Sequence, residues 1–78
     1  MTWAQLPAMT SRQVLRVLTR AGWVIDRQSG SHVVLMRPDG TGRVVVPNHP
    51  GDVNPGTLRG IFEQAGLSPE DVNRLRGK

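Results

Sequence analysis

The sequence predicts an α+β fold in which a three-stranded antiparallel sheet carries helices on one face. Three observations predict it. Two segments place apolar residues at helical spacing, and each runs into a glycine. Three runs rich in β-branched residues lie between those segments. The links between the runs are too short for anything but antiparallel neighbours.

The elements follow in order. Residues 1–9 carry no periodic pattern and read as a loose lead-in. Thr10 and Gln13 spell a capping box, and Val14, Leu15, Leu18 and Ala21 recur at helical spacing up to Gly22, which predicts a helix over 10–21. Arg12, Arg16 and Arg20 fall at successive i+4 steps and form one basic stripe on its exposed side. Residues 23–27 form the first strand, and Gln28-Ser29-Gly30-Ser31 the turn after it. His32–Arg37 is the second strand, Pro38–Gly42 the second turn with Asp-Gly at its centre, and Arg43–Val46 the third strand, stopped by Pro47. After a loop over 48–53, Asn54 suits a helix cap and Pro55 a first helical position. Leu58, Ile61, Phe62 and Ala65 then make an apolar stripe that ends at Gly66, so a helix is predicted over 55–65. Ser68 and Pro69 can start a short third helix whose anchors are Val72 and Leu75. The order α-β-β-β-α and the length match the double-stranded-RNA-binding fold.

A chain of 78 residues is expected to form one domain over 1–78 with a small core. Ten basic residues, nine of them Arg, oppose six acidic ones, for a formal net charge of +4. That excess fits a polyanionic partner, and Arg pairs bidentately with phosphate, although a basic surface that only keeps the protein soluble has the same composition. There is no Cys, so disulfides and thiolate metal sites are excluded. No secretory signal and no apolar run of about 20 residues is seen, so the chain reads as cytosolic, with no membrane partner.

The candidate chemistry centres on His32. Strand alternation gives His32, Val34 and Met36 one face and Val33, Leu35 and Arg37 the other. His32 stands at the mouth of the Ser29-Gly30-Ser31 turn, flanked by Ser31. Imidazole can take and give a proton near neutral pH, which ribonucleolytic cleavage requires; a histidine packed at a strand end is the plainer alternative. His49 sits in a Pro-flanked loop, either ordering the approach to the second helix or supplying a second acid or base. Two histidines without Cys or paired carboxylates do not make a metal site, so none is expected. Pro55-Gly56-Thr57 is a candidate phosphate site at a helix start, with Arg59 projecting from the first turn; an ordinary capped helix would look the same. Arg27 and Arg43, on strands beside the turns, are further candidate phosphate contacts. The Arg12–Arg16–Arg20 stripe could follow a duplex backbone or be a solvated face. Trp23 and Phe62 are in phase with apolar stripes and are assigned to the core.

An ordered set of short motifs resembles the HicA toxin family. These are Gly22-Trp23 after the first helix, Gly30-Ser31-His32 opening a strand, Val46-Pro47 closing the next, and Pro55-Gly56-Thr57-Leu58-Arg59 followed by Gln64-Ala65-Gly66-Leu67. The likeness runs from about Thr10 to Leu67, leaving 68–78 as a C-terminal extension. It implies the toxin of a toxin–antitoxin pair: an mRNA endoribonuclease of relaxed sequence preference, without metal or other cofactor, masked by a HicB-type antitoxin. The family's active histidine falls on His32. The mechanism so implied has His32 as general acid or base while a 2′-hydroxyl attacks the phosphodiester, Gly30 lets backbone approach the phosphate, and Arg residues neutralise charge. A non-catalytic RNA-binding module of the same fold, or an inert protein–protein module, would share the charge and topology.

Overall fold

The computed structural model describes residues 1–77. The chain runs through α1 (Ser11–Arg20), β1 (Val24–Ser29), β2 (His32–Met36), β3 (Val44–Pro47), α2 (Pro55–Gln64) and α3 (Pro69–Arg76). Lys78, the end of the expected extension, lies outside the described residues. The strands pair antiparallel in the order β1-β2-β3, as the short connections require. The expected α+β architecture is present, and α3 completes it. No helix among the described residues is long and apolar enough to cross a membrane.

Local chemistry sets the helix ends. Thr10 Oγ1 accepts from the Gln13 N–H at 3.2 Å and Gln13 Oε1 accepts from the Thr10 N–H at 2.9 Å, which closes the predicted capping box of α1. Both α1 and α2 end in the same way. The N–H groups of Gly22 and Trp23 reach the carbonyls of Thr19 and Leu18, and those of Gly66 and Leu67 reach Glu63 and Phe62. These paired bonds satisfy the last carbonyls and turn an apolar residue, Trp23 or Leu67, back onto the core. Ser68 and Asp71 cap α3 reciprocally at 3.0 and 3.1 Å. The Ser68 backbone N–H bond, then the Ser68 hydroxyl and Arg74, hold the Asp71 carboxyl below its ordinary value of 3.8.

All three helices share one core with the sheet. Val33 and Leu35 of β2 and Val44 and Val46 of β3 face it, together with Val14, Leu18, Phe62 and Val72 from the helices. Alternation puts Val34 on the opposite, helix-free face. It is nevertheless only 2% exposed, flanked by its cross-strand neighbours Arg27 and Val45. Strand β1 is the open edge, exposed along its whole length.

Four expectations need correction. Residues 1–9 are fastened rather than loose. Trp3–Gln5 forms a 3₁₀ turn, Trp3 stacks on Phe62 with centroids 6.3 Å apart, and Met9 is buried. One short turn leaves no helical periodicity to detect. The first strand extends to Ser29, because the hairpin loop is only Gly30-Ser31. Arg37 and Arg43 fall just outside their strands. Arg20 leaves the basic stripe: its Nη1 donates to the carbonyls of Leu75 at 2.9 Å and Arg76 at 3.4 Å, placing a cation on the C-terminal end of α3.

Candidate active site

His32 is the first residue of the central strand and is exposed. It follows a two-residue loop that Gly30 enters at φ +59°, while Ser31 keeps an ordinary negative φ. A glycine at the first loop position matches the twist of the flanking strands, and a side chain there would be strained. The result is a tight corner that holds Ser29 and His32 opposite each other. On the other side, His32 pairs with Pro47. Pro47 has no N–H to give, so this is a pair of the non-hydrogen-bonded kind, in which side chains approach most closely.

The two-residue hairpin fixes which cation shares that face. Counted back from Ser29 opposite His32, Arg27 falls opposite Val34 on the helix-free face and diagonal to His32. Beyond Arg27 the register of β1 against β2 slips, leaving Asp26 as the extra residue of a β-bulge, which sets the facing of Val24 and Ile25. Arg27 Nη1 contacts Asp26 Oδ2 at 2.7 Å, both side chains being exposed.

The chain leaving β3 is held from two sides. The Asn48 N–H donates to the Ser31 carbonyl at 2.6 Å, adding one step to the ladder beyond His32 and Pro47. The Pro47 carbonyl instead points off the sheet edge and accepts from Ser11 Oγ at 2.5 Å. The same hydroxyl oxygen accepts from the His49 N–H at 3.4 Å. Ser11 is 3% exposed and is the buried polar residue among those described. Nothing local in the sequence marks it, since Ser at a helix's first position is ordinary; what marks it is its tertiary partner. Farther along, the Val53 N–H donates to the Met9 carbonyl at 2.8 Å, and Thr10 and Asp52 form an isolated bridge. The loop thus lies across the start of α1. It leaves a cleft of about 330 Å³ between Ser11, Pro47, His49, Asp52, Asn54 and Thr57.

The other candidate residues divide between this end of the sheet and other surfaces. Gly30, Ser31 and Arg27 adjoin His32, and Thr57 joins His49 in the cleft. Arg59 does not: it pairs with Glu63 at 3.4 Å and lines a separate groove with Trp3 and Leu58. Arg43 precedes β3 at the opposite end of the sheet, about 13 Å along the strand from Pro47. The helix start at Pro55 is less open to anions than expected. Pro55 has no N–H, and that of Gly56 is taken by Asn54 Oδ1 at 2.9 Å. Among the described residues no three His, Asp or Glu side chains gather as a metal-ligand group.

No curated protein sequence matches the chain closely enough to count as a relative. The family model of the HicA toxin of bacterial toxin–antitoxin pairs matches residues 11–67. That span runs from the buried Ser11 through the His32 corner and the loop to the turn after α2, and it covers well over half of the chain. A toxin of this kind has an antitoxin as its partner. The chain belongs to the HicA toxin family.

Proposed function

We propose that this protein is a metal-independent endoribonuclease toxin that cleaves mRNA in the cytoplasm, with His32 as its general acid or base. The observation that carries the reading is the position of His32. An exposed imidazole stands at the end of a helix-free sheet face, beside a glycine corner and diagonal to Arg27. RNA cleavage needs little more from a protein. A base takes the proton of the 2′-hydroxyl, whose oxygen attacks the adjacent phosphorus. The bond from phosphorus to the 5′-oxygen breaks, and that oxygen takes up a proton. Arg27 supplies fixed positive charge near the phosphate, which counts for most where charge develops in the transition state. Gly30 and Ser31 present a compact surface that lets a backbone phosphate approach His32. Arg43, Thr57 and Arg59 would contact RNA farther out. A HicB-type antitoxin would act by covering the His32 end of the sheet.

The experiment is analysis of product ends. A 5′-hydroxyl with a 2′,3′-cyclic phosphate is expected. A 5′-phosphate would mean that water, not the 2′-hydroxyl, attacks, and would overturn the mechanism. Folded protein that binds RNA with steep salt dependence but leaves it intact would make it a binding module instead.

A further inference from the structure

We infer that His49 is the second proton-transfer group, the acid that protonates the departing 5′-oxygen; this rests on the proposal that His32 begins the cleavage. One imidazole accounts for half of the proton bookkeeping, because the attacking hydroxyl loses a proton while the leaving oxygen gains one. The structure holds a second imidazole at the same end of the sheet. Pro47 is the shared wall: it is the cross-strand partner of His32 and it lines the cleft that contains His49. Paired Cα atoms lie about 4.5–5.5 Å apart and two further residues span at most about 7 Å, so the two histidine Cα atoms are within about 12–13 Å of each other. That separation is short enough for two imidazole side chains to reach one phosphate from either side of Pro47.

The position of His49 is built. Its backbone N–H is held by Ser11 Oγ, the same group that holds the Pro47 carbonyl, and the preceding N–H is tied to Ser31, the neighbour of His32. Ser11 therefore serves as a positioning residue: one buried hydroxyl sets the path of the chain between the two histidines. The His49 side chain itself is not needed for these bonds and is exposed. The titratable group that shares its cleft is Asp52, and the other lining groups, Ser11, Asn54 and Thr57, are neutral.

The test compares two RNA oligonucleotides of one sequence, identical except that one carries sulfur in place of the bridging 5′-oxygen at a single linkage. A thiolate leaves without needing a proton. His49→Ala should slow cleavage of the ordinary linkage by roughly 10²–10⁴-fold, yet cut the sulfur linkage within a few-fold of the wild-type rate. His49→Gln, which keeps hydrogen bonding but cannot give up the proton, should behave the same way. His32→Ala should be slow on both. The wild-type rate should rise and then fall with pH, and the alkaline fall should vanish in His49→Ala. Wild-type rates in His49→Ala, or equal losses on both linkages with the pH profile unchanged in shape, would overturn the assignment while leaving His32 in place. A wild-type chain that cuts neither linkage would overturn both.

Discussion

At the end of the sheet away from His32, the β2–β3 connection is closed largely by bonds within itself. Arg37 and Thr41 share a backbone bond at 2.9 Å, and Asp39 Oδ1 accepts from the Thr41 N–H at 2.9 Å and from its hydroxyl at 2.6 Å. These bonds, led by the Thr41 hydroxyl, hold the Asp39 carboxyl below its ordinary 3.8. One longer contact, Arg37 over the Trp23 ring at 4.6 Å, seats the turn on the core. At the His32 end the pattern is reversed. The chain from Pro47 to Val53 is held by Ser11, Ser31, Thr10 and Met9, all remote in sequence. The far turn is thus closed by contacts near in sequence, whereas the loop from Pro47 to Val53 keeps its path only while α1 and β3 are docked. A site assembled in this way can be loosened without unfolding the rest.

The largest change should not distinguish the two ends. Phe62 is fully buried and carries the stacked Trp3, so Phe62→Ala should cost about 3–5 kcal/mol and weaken both ends together. The urea midpoint measures the cost, and amide exchange should speed up at Asn48 and at Thr41 alike. Ser11→Ala should separate them. It removes the donor to a carbonyl at the sheet edge, which costs about 1–3 kcal/mol. Exchange at Asn48 and His49 should rise while Arg37 and Thr41 stay as they were; equal loosening at both ends would contradict the comparison.

Much of the fold is legible in the sequence because it is local. Thr10-x-x-Gln13, Asn54-Pro55, Ser68 with Asp71 and the glycines after α1 and α2 act on residues within four positions, and each does what its spelling implies. Thr2-x-x-Gln5 repeats the first of these, and Trp3, Leu6 and Met9 follow at intervals of three, but a single turn is too short for a period to stand out. The position of His32 at a glycine corner was also legible. The partners of Ser11 were not, since they are 36 and 38 residues away. Nor was the bulge at Asp26, which depends on how two strands settle against each other. Arg20 looked like part of a basic stripe because helical spacing says nothing about a helix arriving 55 residues later.

Gly30→Ala should act on the corner alone. A side chain at φ +59° costs about 1–2 kcal/mol, so a modest fall in urea midpoint is expected, with faster exchange at Asn48. Unchanged stability would mean that the corner relaxes freely. The smallest effect is expected at the far turn, on acidification. Because Asp39 titrates lower in the folded chain than in the unfolded one, its contribution is present above its ordinary value and fades as pH falls through the lowered one. Asp39→Asn should make the acid limb of a stability–pH curve shallower and leave exchange at Asn48 and His49 unchanged.

The most direct test of the account is RNA cleavage by the purified chain in EDTA beside His32→Ala, with both proteins shown to be folded. The wild type should cut and the variant should not. Equal cutting by both, or none by either, would contradict it.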